Sequence, residues 1–245
     1  MLIYDSKEII NLVNNYVPEQ LAADDEIIDT IYDDISYYGA YDVQRGTFKM
    51  AIIPEYNNWV IKIPFNGIIE NDGSFSPFPD DKNFDCCLLE LNVLEKMKQY
   101  NLDCFFANIN YIDTVNNIAI YVQEKIEVFG DQKTDDTLLI PESFTKFYNW
   151  LLEKTIYKKS EFYENDKDFD TLFTLPYIWW KKAIISYGIK KVQDFILFIL
   201  TFDADIIFIF HDLHCDNFGF RAVDNSPCIC DYSGYSDKYD QYFLM

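Results

Sequence analysis

The sequence predicts an α+β protein built of two lobes, the first rich in β-strands and the second mostly helical. Apolar runs of strand length alternate with turn residues over residues 37–123. Farther along the chain, apolar side chains recur at the spacing of an α-helix, as in Val192, Phe195 and Ile196. The length of 245 residues is sufficient for one large domain or two small lobes.

The predicted elements follow from local patterns of apolar, capping and turn residues. Asp5 provides a cap for an amphipathic helix over 5–17, and isoleucines continue the helical spacing over 24–35. Phe48–Ile53 and Trp59–Phe65 predict a hairpin around turn residues 54–58. The remaining predicted elements are a loop over 66–83, a helix over 84–99, strands over 105–112 and 118–123 joined by residues 113–117, helices near 142–156, 176–186 and 190–202, a strand over 206–210, and a hairpin of 218–223 with 228–230.

The boundary between the lobes is predicted near Glu124–Phe129. Residues 1–125 would hold the N-terminal helices, an antiparallel sheet and one further helix. Residues 126–245 would form a reduced, mostly helical lobe. Gly and Pro number only 8 each, so long flexible linkers are not expected.

The formal net charge of −21 limits the classes of partner that the protein is expected to bind. It repels polyphosphate backbones and so argues against nucleic-acid binding. The same field repels ATP, so a nucleotide site must supply lysine and metal charge locally. Charge alone also admits DNA mimicry. Because the carboxylates are spread along the chain, an ordinary solvated acidic surface is the preferred interpretation.

The cysteines and the first residues indicate a cytoplasmic protein. The six cysteines include no CxxC pair and no zinc-site spacing, so we expect them to be reduced. Residues 1–5 lack the basic segment of a signal peptide, and the apolar runs are too short to span a membrane. We therefore expect no membrane partner, while the oligomeric state stays open.

The most informative motif lies between Asp212 and Gly234. Asn217 follows Asp212 by five positions, and Asp231 begins a second Asp-x-x-Gly behind a short predicted hairpin. Phosphoryl transfer uses one carboxylate near the attacking hydroxyl, and an amide with a second carboxylate for magnesium. The motif therefore predicts Asp212 as the catalytic base and Asn217 and Asp231 as Mg²⁺ ligands. A solvated loop residue is the alternative for any single Asp, but the order of the whole set argues against coincidence.

The two histidines of the chain flank Asp212. His214 is a candidate for contacting phosphate or orienting Asp212, and a packed histidine capping the loop is an equal alternative. His211 is expected to be structural. Asp216 is expected to be a polar loop residue rather than a further metal ligand.

Lys62 and Glu90 are the candidate phosphate-positioning pair of the first lobe. Lys62 lies in an apolar strand, where a lysine is costly unless its charge is paired. Glu90 shares a helix stripe with Leu94 and Met97, so its carboxylate needs a cationic partner. A strand lysine paired with a helix glutamate orients the lysine on the α- and β-phosphates of ATP. The alternatives are an edge-strand lysine facing solvent and an ordinary surface acid.

The segment Gly39–Phe48 lies where a phosphate-covering loop belongs, before the first hairpin, but it lacks G-x-G-x-x-G spacing. Arg45 and the backbone of Gly46 and Thr47 are its candidate phosphate contacts. An ordinary glycine-containing turn is the alternative.

At these residues the chain resembles the protein-kinase-like superfamily. Val60-Ile61-Lys62 is similar to the V-A-I-K strand, Asp212–Asn217 to D-L-x-x-x-N, and Asp231–Gly234 to an extended D-F-G. The resemblance covers residues from about 36 to 235. It implies a two-lobed kinase fold, ATP and Mg²⁺ as cofactors, and Glu124 at the lobe boundary as a further nucleotide contact.

Two subfamilies share particular features with this chain. The Asp-Leu-His form of the loop is similar to aminoglycoside phosphotransferases, whereas Phe210 stands where eukaryotic protein kinases have the His of H-R-D. No A-P-E motif follows Gly234. In this respect the chain resembles the compact bacteriophage-encoded kinases that modify host proteins. The resemblance thus implies a minimal Ser/Thr protein kinase acting on host proteins. The alternatives are a small-molecule kinase and a pseudokinase that binds a host protein through its acidic surface.

Overall fold

The computed structural model describes residues 4–46, 48–78, 85–128, 145–147, 149–150, 153, 177–201 and 217–232. These residues form an α+β structure, which confirms the predicted class. The elements in chain order are α1 Ser6–Tyr16, α2 Asp25–Tyr38, β1 Tyr41–Arg45, β2 Lys49–Pro54, β3 Trp59–Pro64, β4 Gly67–Ile69, β5 Phe75–Pro77, α3 Cys86–Gln99, a 3₁₀ turn Asp103–Phe105, β6 Ile109–Val115, β7 Ile118–Glu124, β8 Ile126–Val128, α4 Tyr177–Tyr187, α5 Ile189–Thr201, β9 Phe218–Arg221 and β10 Pro227–Ile229.

The structure divides into two compact units. The described parts of Met1–Lys96 and Ala107–Lys125 belong to the first unit, and those of Met97–Phe106 and Ile126–Gly234 belong to the second. Residues 97–106 therefore lie in the second unit, although they precede the last two strands of the first.

The first unit is built on a five-stranded antiparallel sheet of order β1-β2-β3-β7-β6. Helix α1 begins where Asp5 accepts hydrogen bonds from the backbone N–H groups of Lys7 and Glu8, as its sequence predicts. Apolar stripes of α1 and α2 join the sheet in one core because both helices carry apolar residues at helical spacing. The core includes Ile9, Leu12, Val13, Ile31, Ile35, Met50, Ile52, Ile61, Ile63, Ile120 and Val122.

Two local predictions for the first unit were wrong. Within the predicted loop 66–83, the short strands β4 and β5 pair as a hairpin. Strand β6 continues to Val115, past the predicted turn start at Asp113. The chain reverses instead at Asn116 and Asn117, whose φ angles of 53° and 60° are left-handed. Asn tolerates this conformation, and a two-residue hairpin turn of type I′ needs it at both positions.

The second unit contains a three-stranded sheet of order β10-β9-β8. Strand β8 occupies residues that the sequence predicted only as a boundary. A Cβ at Gly219 would lie 2.2 Å from the Glu127 carbonyl oxygen, so only glycine permits β8 to approach β9 this closely. The indole of Trp179 on α4 donates to the Gly219 carbonyl.

Aromatic rings and one arginine consolidate the second unit. Phe105 stacks on Phe195 with ring centroids 4.2 Å apart. The buried Arg221 guanidinium donates to the Phe106 carbonyl at 2.8 Å and to the Tyr187 hydroxyl at 2.7 Å. This one side chain therefore joins segments that are far apart in sequence, and its charge is buried with hydrogen-bond partners.

Several predicted elements lie outside the described residues: most of the helix near 142–156, the strand 206–210 and the segment 211–216. Among the helices that are described, none has the length and apolar character needed to cross a membrane.

Candidate functional site

Lys62 lies near the middle of β3, in the interior of the first unit's sheet. It pairs in register with Ala51 of β2 and with Tyr121 of β7, so β3 has neighbours on both sides. The residue is only 5% exposed. The alternative of an edge-strand lysine facing solvent is therefore wrong.

Glu90 is completely buried on α3, with Leu94 and Met97 of the same stripe. Glu95, on another face of the helix, is exposed. The apolar periodicity of α3 therefore identified correctly which face is buried.

The structure brings Lys62 and Glu90 together. The Lys62 ammonium lies 3.3 Å from each carboxylate oxygen of Glu90. Charged side chains are seldom buried unless they are paired, and this contact provides the pairing. The functional role of the pair stays a prediction.

Two further side chains bind the Glu90 carboxylate, and no sequence pattern predicted either of them. Lys49 at the start of β2 donates to Oε1 at 2.7 Å, and Gln123 of β7 donates to Oε2 at 2.7 Å. Lys49 is the first residue of an alternating strand, where it has the pattern of a surface lysine. Gln123 near the end of an apolar strand has the pattern of a strand terminus. Only the pairing of β2, β3 and β7 reveals that their side chains converge.

A second acid lies beside this cluster, at the start of α3. Asp85 accepts from the Leu88 N–H at 2.8 Å, which caps the helix, and from the Tyr121 hydroxyl at 2.5 Å. Burial raises the pKa of Asp85 above its usual 3.8, although both hydrogen bonds oppose this shift. Burial and the adjacent carboxylate also raise the pKa of Tyr121, which keeps it a hydrogen-bond donor.

We expect Asp85→Asn to gain stability relative to the wild type as pH rises from about 4 to 7. The folded protein holds the Asp85 proton more tightly than the unfolded chain does, because the folded pKa is the higher one. This group's contribution to stability is therefore complete below pH 3.8 and is lost as pH rises through the folded pKa. Asn keeps an oxygen for the cap but does not titrate. Urea denaturation of both proteins at each pH measures the difference.

Asp72→Asn is the matched control because its shift has the opposite sign. Hydrogen bonds from Ser74 lower the pKa of the exposed Asp72. That contribution is present above pH 3.8 and is lost as pH falls, so Asp72→Asn should lose stability relative to wild type as pH rises. A pH-independent difference for Asp85→Asn would contradict the assignment.

The other nucleotide contacts predicted in the first unit have their own partners. The Gly46 N–H donates to the Lys49 carbonyl at 2.9 Å and closes the β1–β2 turn. Glu124 is buried and accepts from the backbone N–H and side-chain amide of Asn108 at 3.2 and 3.0 Å. Thr47 lies outside the described residues.

Asn217 and Asp231 come together in the second unit. The side-chain amide of Asn217 donates to the backbone carbonyl of Asp231 at 3.2 Å, and the Cys230 N–H donates to the Asn217 carbonyl at 2.8 Å. Asp231 has a left-handed φ of 50°, an unusual conformation for a non-glycine residue. Tyr232, which follows, is fully buried against Phe106.

The oxygen chemistry of these two residues suits magnesium, which prefers carboxylate and amide oxygens. Because the Asn217 nitrogen donates to Asp231, a cation would be bound by the amide oxygen. Within the described part of the chain, no group of three or more His, Cys, Asp or Glu forms a complete metal site. The predicted base Asp212 and its neighbour His214 lie outside that part.

No protein-family model matches the sequence, and no curated protein is significantly similar to it. The chemistry of the site therefore follows from the contacts of its own residues. Those contacts form two groups: a buried Glu90 cluster containing Lys62, and an Asn217–Asp231 pair whose oxygens suit a divalent cation.

Proposed function

We propose that this protein is an ATP- and Mg²⁺-dependent phosphotransferase of minimal protein-kinase-like fold, with Ser/Thr hydroxyls of host proteins as acceptors. The observation that carries the proposal is the buried contact of Lys62 with Glu90 at 3.3 Å. A strand lysine held by a helix glutamate is the arrangement that positions a lysine on the α- and β-phosphates.

Stability alone is a poor reason for this ion pair. Glu90 is fully buried and Lys62 nearly so, and the cost of desolvating two charges commonly equals or exceeds their attraction. A role in positioning phosphate accounts for a charge kept at this cost. Lys49 and Lys62 together carry one more charge than the Glu90 carboxylate that both contact, in a chain whose net charge of −21 repels nucleotides.

The Asn217–Asp231 pair supports the metal half of the proposal. Both residues supply oxygen donors, and the hydrogen bond from Asn217 to the Asp231 backbone holds them side by side. Magnesium, when bound, neutralises the charge that develops on the phosphates.

Asp212 completes the proposed chemistry. Its position five residues before Asn217 suits a carboxylate that accepts the proton of the attacking hydroxyl. His214 would orient Asp212 or contact phosphate. Both assignments rest on the spacing of the motif.

A binding module of pseudokinase type is the second candidate. The observation that favours it is the Gly46 N–H, which donates to Lys49 inside the β1–β2 turn. This donor would reach a phosphate only if the turn opened. Such a module would keep the fold and bind a host protein without transferring phosphate.

The test is transfer of labelled γ-phosphate from ATP to proteins of a bacterial lysate, with Asp212→Asn as the matched variant. We expect labelled bands with wild type, and transfer reduced by about 10²–10⁴-fold in the variant, which has lost its general base. Magnesium-dependent stabilisation by ATP without any transfer would favour the binding module. The absence of both ATP stabilisation and phosphate transfer in the wild type would refute the phosphotransferase.

A further inference from the structure

The hydrogen bonds to Glu90 are unequal, and the inequality separates its three partners. Lys49 and Gln123 each bind one carboxylate oxygen at 2.7 Å. Lys62 lies at 3.3 Å from both oxygens. Hydrogen bonds to charged groups are typically about 2.7–2.9 Å long, so the two short bonds fix the carboxylate and Lys62 is the more loosely held partner.

The three partners come from adjacent strands of one sheet. Lys49, Lys62 and Gln123 lie on β2, β3 and β7, which are neighbours in the order β2-β3-β7. Glu90 is presented to them from α3. Because each short bond comes from a different strand on either side of β3, the carboxylate is held from two sides and its plane is fixed.

Exposure separates the two short-bond partners from each other. Gln123 is 1% exposed, whereas the Lys49 side chain is 14% exposed and is the most accessible of the three. The Lys49 carbonyl also accepts the Gly46 N–H that closes the β1–β2 turn. Lys49 therefore joins the predicted phosphate-covering turn to the buried carboxylate.

We propose that Lys49 and Gln123 are positioning residues, which hold the Glu90 carboxylate in the orientation that centres Lys62 on both oxygens. This inference rests on the proposed phosphotransferase function. Loss of either short bond would let the carboxylate turn toward the remaining short partner, and Lys62 would follow it. Misplacing a reacting group by about 1 Å can cost about 10²-fold in rate.

The experiment measures γ-phosphate transfer to a dialysed bacterial lysate at fixed protein concentration while ATP is varied, which yields an apparent kcat and KM for ATP. The variants are Lys49→Met, which keeps the length but loses the charge, Lys49→Arg, which keeps the charge, and Gln123→Met. The exposed Lys98 on α3 provides the control variant Lys98→Met. Circular dichroism and melting curves establish that each variant is folded at the assay temperature.

We expect Lys49→Met and Gln123→Met to lower kcat by about tenfold or more with little change in KM, since positioning affects the transition state more than ground-state binding. Lys49→Arg should recover most of the lost kcat, and Lys98→Met should match wild type. A purely structural role would lower the melting temperature without the split between kcat and KM or the recovery by arginine.

Each other outcome is decisive. Folded Lys49→Met and Gln123→Met with wild-type kcat would overturn the inference and leave the proposed function intact. A rise in KM alone for Lys49→Met would make Lys49 a direct nucleotide contact and refute its positioning role. If Lys49→Met does not fold, the kcat and KM values of Lys49→Arg and Gln123→Met test the inference instead. Absence of transfer by the wild type would instead refute the proposed function itself.

Discussion

Glu90→Ala is expected to lower the free energy of unfolding by about 3–5 kcal/mol, the usual cost of removing one member of a buried ion pair. The variant loses the carboxylate that both Lys49 and Lys62 contact, while Lys62 stays in the interior of the sheet. It also loses the acceptor of the Gln123 amide. Urea denaturation followed by far-UV circular dichroism measures the change.

Two further variants test whether the loss of stability in Glu90→Ala comes from removal of the buried carboxylate. Glu90→Gln keeps the shape and one acceptor oxygen, so it should be less destabilised than the alanine variant. Glu95→Ala changes an exposed acid on the same helix and should lie within about 0.5 kcal/mol of wild type. A Glu90→Ala protein as stable as the Glu95→Ala control would show that the cluster contributes nothing to stability.

Asp231→Asn should fold normally, lose the magnesium-dependent part of its stabilisation by ATP, and transfer phosphate at least about 10²-fold more slowly. Asn accepts the left-handed conformation of this position as readily as Asp does, so the substitution removes charge without straining the backbone. For wild type, ATP with magnesium at about 100 times Kd should stabilise the fold by about 2.7 kcal/mol. Thermal melts with ATP, with and without Mg²⁺, measure the loss.

Asp224→Asn is the control for Asp231→Asn because it makes the same change of charge at an exposed site in the nearby β9–β10 turn. It should retain both the magnesium-dependent shift and transfer. If Asp231→Asn also retained them, Asp231 would not be a metal ligand.

Periodicity predicted the parts of this structure that depend on one segment at a time. The apolar stripe of α3 predicted that Glu90 is buried, and the apolar runs around Lys62 predicted its strand. The cost of burying an unpaired charge then predicted that Lys62 and Glu90 contact each other. The class of the fold followed from the same patterns.

The parts that the sequence did not reveal depend on several segments at once. Lys49 and Gln123 reach Glu90 only because β2 and β7 flank β3, and no local pattern encodes that order. Strands β4, β5 and β8 have three residues each, too few to show an alternation. Residues 66–83 have the composition of a loop, but β4 and β5 within this range pair as a hairpin.

The Arg221 contacts have a consequence for synthesis on the ribosome. The Phe106 carbonyl that Arg221 binds is 115 residues earlier in the chain. At about 5–20 residues per second, roughly 6–23 s separate the emergence of these two residues. Phe106 also packs against Tyr232, which emerges later still. The first unit can begin to fold during this interval, whereas the second must wait for its C-terminal strands. Nascent chains are therefore most vulnerable to aggregation and chaperone capture late in translation.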